Sequence, residues 1–208
     1  MRFKDRREAG VLLANKLAGY KGKEAVIYAV PRGGVVLGYE ISKALQTPLD
    51  LVITRKIGHP ANPEYAVCVV AENHDLLCNP AEKEALDPKW LDKAVEAERQ
   101  EAIRRRKVYL GDRARPDATG KTAIVVDDGV ATGMTFLMAL REARHLKPAK
   151  LVAAIPVLPA EMLEKIKKEA DEVVYLDAPT DFAGAVGAYY DQFPQVSDDE
   201  VIRLLKEA

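Results

Sequence analysis

The sequence predicts an α/β protein with a parallel-sheet core flanked by helices, and three observations carry that prediction. Short apolar runs at 25–30, 50–54, 66–71, 122–126, 151–157 and 173–176 are mostly continuous rather than alternating, as in strands buried on both faces. Segments of helical period near 5–18, 34–45, 133–146 and 159–169 fall between them. That repeating order is the one in which right-handed crossovers build a parallel sheet. A length of 208 residues, 48% hydrophobic and 30% charged, suits one domain with a real core. We expect a single domain over 1–208, with a helical insertion or flap at 79–115 and a hood-like tail at 177–208.

The elements follow from the residues in order. The run 25–30 (AVIYAV) reads as a first buried strand, and Pro31-Arg32-Gly33-Gly34 as the turn that leads into the next helix. The runs 50–54 (DLVIT) and 66–71 (AVCVVA) read as further strands, with a loop around Gly58-His59-Pro60-Ala61-Asn62-Pro63 between them. Asn79-Pro80 and then Asp87-Pro88 break the alternation. Asp87 suits an N-cap and Pro88 a first helical position. The long charged helix that follows carries Trp90, Leu91, Ala94, Val95, Ala102 and Ile103 on one side, as a lid, flap or dimer contact would. It ends in Arg104, Arg105, Arg106 and Lys107, cations that complement a helix C-terminus. Near the end of the chain Phe182, Tyr189, Tyr190 and Phe193 cluster. Ser197-Asp198-Asp199-Glu200 then forms a capping box that opens a last helix.

Composition excludes several classes. With 31 Lys+Arg against 32 Asp+Glu the formal charge is −1, which argues against a generally basic nucleic-acid binder. The only candidate basic patch is the run at 104–107. Cys68 and Cys78 form no CxxC pair, and two cysteines in such a chain read as reduced thiols. The N-terminal Met1-Arg2-Phe3-Lys4-Asp5-Arg6-Arg7-Glu8 lacks the apolar core of a signal peptide. The expectation is a soluble cytoplasmic protein. His59, His74 and His145 are scattered and suggest no metal cage.

One stretch carries chemistry. The strand ending Ile124-Val125-Val126 runs into Asp127-Asp128-Gly129-Val130-Ala131-Thr132-Gly133-Met134-Thr135, and an amphipathic helix follows. A hydroxyl- and glycine-rich loop at a helix N-terminus presents N–H groups that suit a phosphate monoester. Two adjacent carboxylates at the carboxyl end of a strand can accept hydrogen bonds from vicinal hydroxyls, and ligands bind there in open α/β sheets. Phosphate plus diol reads as a ribose 5-phosphate site. An Asp-Gly hairpin is disfavoured because the downstream spacing is helical. No P-loop is present, and Gly33-Gly34-Val35-Val36-Leu37-Gly38 only weakly imitates a dinucleotide fingerprint.

From Val125 to Thr135 the chain resembles the type I phosphoribosyltransferases, whose signature is a strand, two acidic residues and a small-residue loop ending Thr-Gly-x-Thr. Val30-Pro31-Arg32-Gly33-Gly34 resembles their pyrophosphate loop, and Thr54-Arg55-Lys56 a basic pair that reaches the pyrophosphate in several members. The whole chain is most similar to a bacterial group of phosphoribosyltransferases of unassigned acceptor, through the tail around Ala185-Val186-Gly187-Ala188-Tyr189-Tyr190. The resemblance implies transfer of ribose 5-phosphate from phosphoribosyl pyrophosphate to a nitrogen acceptor such as a nucleobase, with pyrophosphate released. It implies that Ala131, Thr132, Gly133, Met134 and Thr135 anchor the 5-phosphate and that Asp127 and Asp128 hold the ribose hydroxyls. Gly33 and Gly34 admit the pyrophosphate, which Arg32, Arg55 and Lys56 neutralise from the same sheet rim. Magnesium is then held mainly through substrate and water, and the family habit is a homodimer. Members acting on 6-oxopurines carry Asp where this chain has Ala131, Lys where it has Leu158, and a stacking aromatic where it has Val173. Hypoxanthine and guanine are disfavoured for that reason. A non-catalytic or regulatory phosphoribosyl pyrophosphate-binding protein is the alternative.

Overall fold

In the computed structural model, which describes residues 1–72 and 75–208, five strands form a parallel sheet. They are β1 (Ala25–Ala29), β2 (Leu49–Leu51), β6 (Thr122–Val126), β7 (Lys150–Val157) and β8 (Glu172–Asp177), in the order β2-β1-β6-β7-β8. A second, antiparallel sheet holds β3 (Thr54–His59), β4 (Asn62–Ala71) and β5 (Leu76–Cys78). The helices are α1 (Arg6–Lys16), α2 (Gly33–Leu45), α3 (Pro80–Ala85), α4 (Pro88–Leu110), α5 (Met134–His145), α6 (Ala160–Glu169) and α7 (Asp198–Glu207).

The continuous apolar runs have a direct cause. Ile27, Ala29, Ile124 and Val126 pack with α1, α2 and α7 through Leu13, Leu37 and Leu204. Their neighbours Val26, Tyr28, Ala123 and Val125 point the other way, into α5 and α6 through Phe136, Met162 and Ile166. Register then sets the functional edge. Ala29 pairs with Leu51 and with Val126, so β2, β1 and β6 end together and their following loops share one rim.

The run 66–71 is a correction: it belongs to the antiparallel sheet. A turn from His59 to Asn62 is too short for a parallel crossover, so β3 and β4 form a hairpin where the sequence suggested a loop. Its lack of alternation arises because the sheet is covered on both sides. Cys68 and Val70 face Leu91 of α4, whereas Val69 and Ala71 face Met138 of α5. Asp87 caps α4 by accepting from the Trp90 N–H at 2.8 Å. Trp90, Leu91, Ala94 and Val95 cover the hairpin sheet, and Ala102 returns to the main core. Ile103, expected on the same side, is instead 45% exposed.

The cysteines correct the reduced-thiol reading. Cys68 and Cys78 stand opposite each other across β4 and β5, with Cα atoms 4.0 Å apart, and are joined as a disulfide. Sequence spacing gave no hint of this strand pairing. The bridge closes a loop ten residues long, so chain entropy assigns it about 2–3 kcal/mol. Thermal denaturation with and without reductant is expected to show that loss, and an unchanged Tm would contradict it.

Where the two sheets meet, Asp50 of β2 is 1% exposed and accepts two hydrogen bonds from Arg106 of α4, at 2.9 and 2.7 Å. Arg106 also donates to the Leu51 carbonyl at 3.0 Å. Arg115 reaches Glu72 at 3.1 Å and Asp50 at 3.7 Å. Arg104 and Arg105 both pair with Glu101. Three of the four cations at 104–107 are therefore engaged within the chain.

The tail packs back on the start of the sequence. Phe3 bridges to Tyr190, its N–H donating to the Tyr189 carbonyl, and Asp191 donates to the Phe3 carbonyl, both at 2.8 Å. Ser197 caps α7 as its sequence foretells, accepting from the Glu200 N–H at 3.1 Å. Among the described residues, no helix is long and apolar enough to cross a membrane.

Candidate active site

An open cleft of about 290 Å³ lies at the carboxyl rim of the parallel sheet. It is lined by Pro31, Arg32 and Gly33, by Asp127 and Asp128, by Ala131, Thr132 and Thr135, and by Lys56 from the hairpin sheet. Gly133 caps α5 with φ +84°, a left-handed conformation that turns the loop into the helix. No side chain caps this helix, so the N–H groups of its first turn remain available at the rim. Met134 begins α5, but its side chain packs toward Val69 and Ala71 rather than into the cleft.

The acidic pair is tightly placed. The Asp128 N–H donates to Asp127 Oδ1 at 2.8 Å, and Tyr190 donates its hydroxyl to the Asp128 carbonyl at 2.6 Å. Burial raises the pKa of Asp127 well above the usual carboxylate range, and the neighbouring Asp128 charge adds to the rise. Burial also raises that of Asp128, opposed by the Arg6 guanidinium. Arg6 Nε donates to Asp128 Oδ2 at 2.7 Å. Gly33 has a packing reason to be glycine: a Cβ there would lie 1.8 Å from Asp128 Oδ2.

Arg55 and Lys56 part company. The sequence suggested that both lie on the rim with Arg32, but they occupy β3 of the second sheet, where adjacent side chains alternate. Lys56 lines the cleft, and Arg55 donates to Glu98 of α4 at 2.8 Å. Arg32 sits 3.5 Å from Asp198, which also accepts from the Tyr109 hydroxyl at 2.8 Å.

Sequence reasoning missed Arg6, 122 positions from its partner. Its signal was present, because Arg6 stands in phase with Ala9, Gly10, Leu13 and Ala14 on the buried stripe of α1. The tail aromatics pack on one another and on Arg6. Phe182 stacks on Tyr189 with centroids 5.0 Å apart, and Phe193 lies under the Arg6 guanidinium at 3.6 Å. Leu158 is fully buried, and Val173 packs against the same core cluster. His59 Nδ1 accepts from the Ala61 N–H in the hairpin turn, and His145 pairs with Asp75 at 2.6 Å. His74 lies outside the described residues. Among the described residues, no group of three or more His, Cys, Asp or Glu could hold a metal ion.

A parallel α/β sheet with an acidic pair and a helix-opening turn at its carboxyl rim places the cleft where open α/β sheets bind their ligands. The chain belongs to the phosphoribosyl transferase domain family, which matches residues 5–193. It is 39% identical over 208 residues to the Mycobacterium tuberculosis (strain H37Rv) protein named "Putative phosphoribosyl transferase Rv0571c". The match covers 99% of this chain and 47% of that protein, so the chain spans about half the length of the curated relatives it matches. The crystal structure of TT1426 from Thermus thermophilus is similar over 100% of this chain and 99% of its own, with 41% identity and a TM-score of 0.82. A hypothetical protein from Neisseria gonorrhoeae with bound ppGpp shares the fold at 15% identity and a TM-score of 0.51, covering 100% of this chain and 98% of that one.

Proposed function

We propose that the protein is a phosphoribosyltransferase that moves ribose 5-phosphate from phosphoribosyl pyrophosphate to a nitrogen acceptor, with release of pyrophosphate. The observation that carries this reading is the convergence, in one cleft, of Asp127 and Asp128 with the 131–135 turn, Arg32 and Lys56. The first-turn N–H groups of α5 and the hydroxyls of Thr132 and Thr135 bind the 5-phosphate. The acidic pair accepts from the ribose hydroxyls. Lys56 and Arg32 face the pyrophosphate, whereas Arg55 supports the hairpin through Glu98. The acceptor nitrogen bonds to the anomeric carbon as the carbon–oxygen bond to pyrophosphate breaks, pyrophosphate leaves with that electron pair, and the nitrogen's displaced proton passes to water. Charge on the anomeric carbon resembles that in glycoside hydrolysis, so the nearby carboxylate charge lowers the barrier electrostatically.

The residues present fit magnesium only as part of the substrate. Two adjacent carboxyls with raised proton affinity are a poor donor set for an ion that needs six oxygens and keeps its waters. Its ligands would come mainly from substrate oxygens and water. When bound, the ion would neutralise leaving-group charge.

Ala131 at the cleft and the buried Leu158 supply no polar group to read a 6-oxo purine. We therefore place adenine, a pyrimidine or an unusual nitrogen acceptor ahead of hypoxanthine and guanine. A screen for pyrophosphate release, with phosphoribosyl pyrophosphate, magnesium and a panel of nucleobases, tests this. Release with a base outside the 6-oxopurines is the expected result. Efficient use of hypoxanthine or guanine would overturn the acceptor reading. Tight substrate binding with no release for any base would favour the non-catalytic alternative.

A further inference from the structure

Arg6 is the one cation that touches the acidic pair among the described residues, and it is built in rather than draped over the surface. It is 9% exposed, its Nε donates to Asp128 Oδ2 at 2.7 Å, and its Nη1 donates to the Pro194 carbonyl at 2.7 Å. Its guanidinium plane rests on Phe193, 3.6 Å from the ring centroid. Phe193 in turn packs against Tyr190 at 4.8 Å, and Tyr190 donates to the Asp128 carbonyl. Residues from α1 and from the tail therefore grip Asp128 by both its carboxylate and its backbone.

We propose that Arg6 is a positioning residue, held by the Phe193–Pro194 segment, that fixes the Asp128 carboxylate and favours its ionised form. This rests on the function proposed above, since the fixed carboxylate is the one presented to the ribose. Two adjacent buried carboxyls resist a second charge, and a cation on one side decides which of them ionises. Arg6 touches Asp128, so Asp128 is the member of the pair that ionises first, and Asp127 holds its proton more tightly. A guanidinium suits this task because its planar fork serves the carboxylate, a carbonyl and an aromatic face together. The other charged or titratable groups facing the pair are Arg32 from the 30–33 loop, Lys56 from β3 and Tyr190 from the tail. Arg32 and Lys56 lie on the cleft side, where the substrate's own phosphates engage them. Burial holds the Tyr190 phenol above its ordinary pKa, so it remains a neutral donor.

The test compares the wild type with Arg6→Met and Arg6→Lys in two measurements. The first is the pH profile of kcat/KM for phosphoribosyl pyrophosphate, which reports the free enzyme. Activity that needs ionised Asp128 fails as pH falls through its pKa. Removing the cation raises that pKa, so the acid limb of Arg6→Met should move to higher pH, with kcat/KM down roughly 100-fold. Arg6→Lys should return the acid limb toward its wild-type position. A purely structural Arg6 would lower Tm and leave the acid limb in place, and that result overturns the proposal. The second measurement titrates the Asp128 carboxyl by carbon-13 NMR and needs no turnover. An upward move in Arg6→Met, reversed in Arg6→Lys, supports the assignment. An unmoved Asp128 titration overturns it whatever the activity. If the wild type neither binds nor consumes the substrate while the titration still moves, the proposed function falls and the Arg6 assignment stands.

Discussion

Asp127→Asn is expected to cut pyrophosphate release by roughly 10²–10³-fold while making the ligand-free protein more stable. The activity loss is the scale seen when one preorganised electrostatic group is removed from a transition state. The stability gain follows from the sign of the pKa shift. Asp127 binds its proton more tightly in the fold than in the unfolded chain, because of burial and then the Asp128 charge. Between the unfolded value, about 3.9, and the raised folded value, the native state holds a proton that the unfolded state has lost. Stability therefore falls as pH rises through that window and stays lower above it. Asparagine removes the penalty and can still accept from the Asp128 N–H. Asp128→Asn should return less stability, because it also strips Arg6 of its counter-charge. Thermal denaturation across pH, alongside pyrophosphate release, checks both parts. A variant at Asp127 with lower Tm at neutral pH, or with full turnover, would refute the account. The Asp127→Asn, Asp128→Asn double variant should retain the fold and lose activity altogether.

Arg106→Met is expected to destabilise the protein by about 3–5 kcal/mol, the cost of leaving a buried charge without its partner. Among the described residues, Asp50 would then keep Arg115 alone, 3.7 Å away, to balance it. Tyr28 beside it offers little relief: burial, and then the Asp50 charge, push its phenol to about 12, and it already donates to the Pro116 carbonyl. Urea denaturation of Arg106→Met and of the Asp50→Asn, Arg106→Met pair separates the terms. The pair should recover a large part of the loss, because the orphaned charge is gone. Equal losses in both variants would instead assign the effect to packing of the Arg106 stem.

The parts of the structure legible in the sequence are those whose cause is local. The acidic pair and its turn are contiguous, so strand, carboxyls, Gly133 and helix could be read from one stretch. The caps at Asp87 and Ser197 were legible for the same reason. Burial on two faces was also correctly read at 66–71, but apolar runs do not tell a parallel core strand from a hairpin strand covered by α4 and α5. That ambiguity placed Arg55 and Lys56 together on one rim, when strand alternation sends Lys56 to the cleft and Arg55 to Glu98. The contacts that complete the site join distant positions: Arg6 with Asp128, Tyr190 with Asp128, Arg32 with Asp198. The cystine was illegible on the same grounds, since only the β4–β5 register makes its halves neighbours.

The pairing of Phe3 with Tyr190 has a consequence for how the protein matures. During synthesis the sheet, α5 and the acidic pair can all emerge before residues 190–194 leave the ribosome. Until then Arg6 has neither Phe193 beneath it nor the Pro194 carbonyl to hold it, and the Asp128 backbone lacks the Tyr190 hydroxyl. The acidic pair of the nascent chain therefore stays unclasped until that segment emerges. Completion of the site waits on the tail reaching back to the head of the chain.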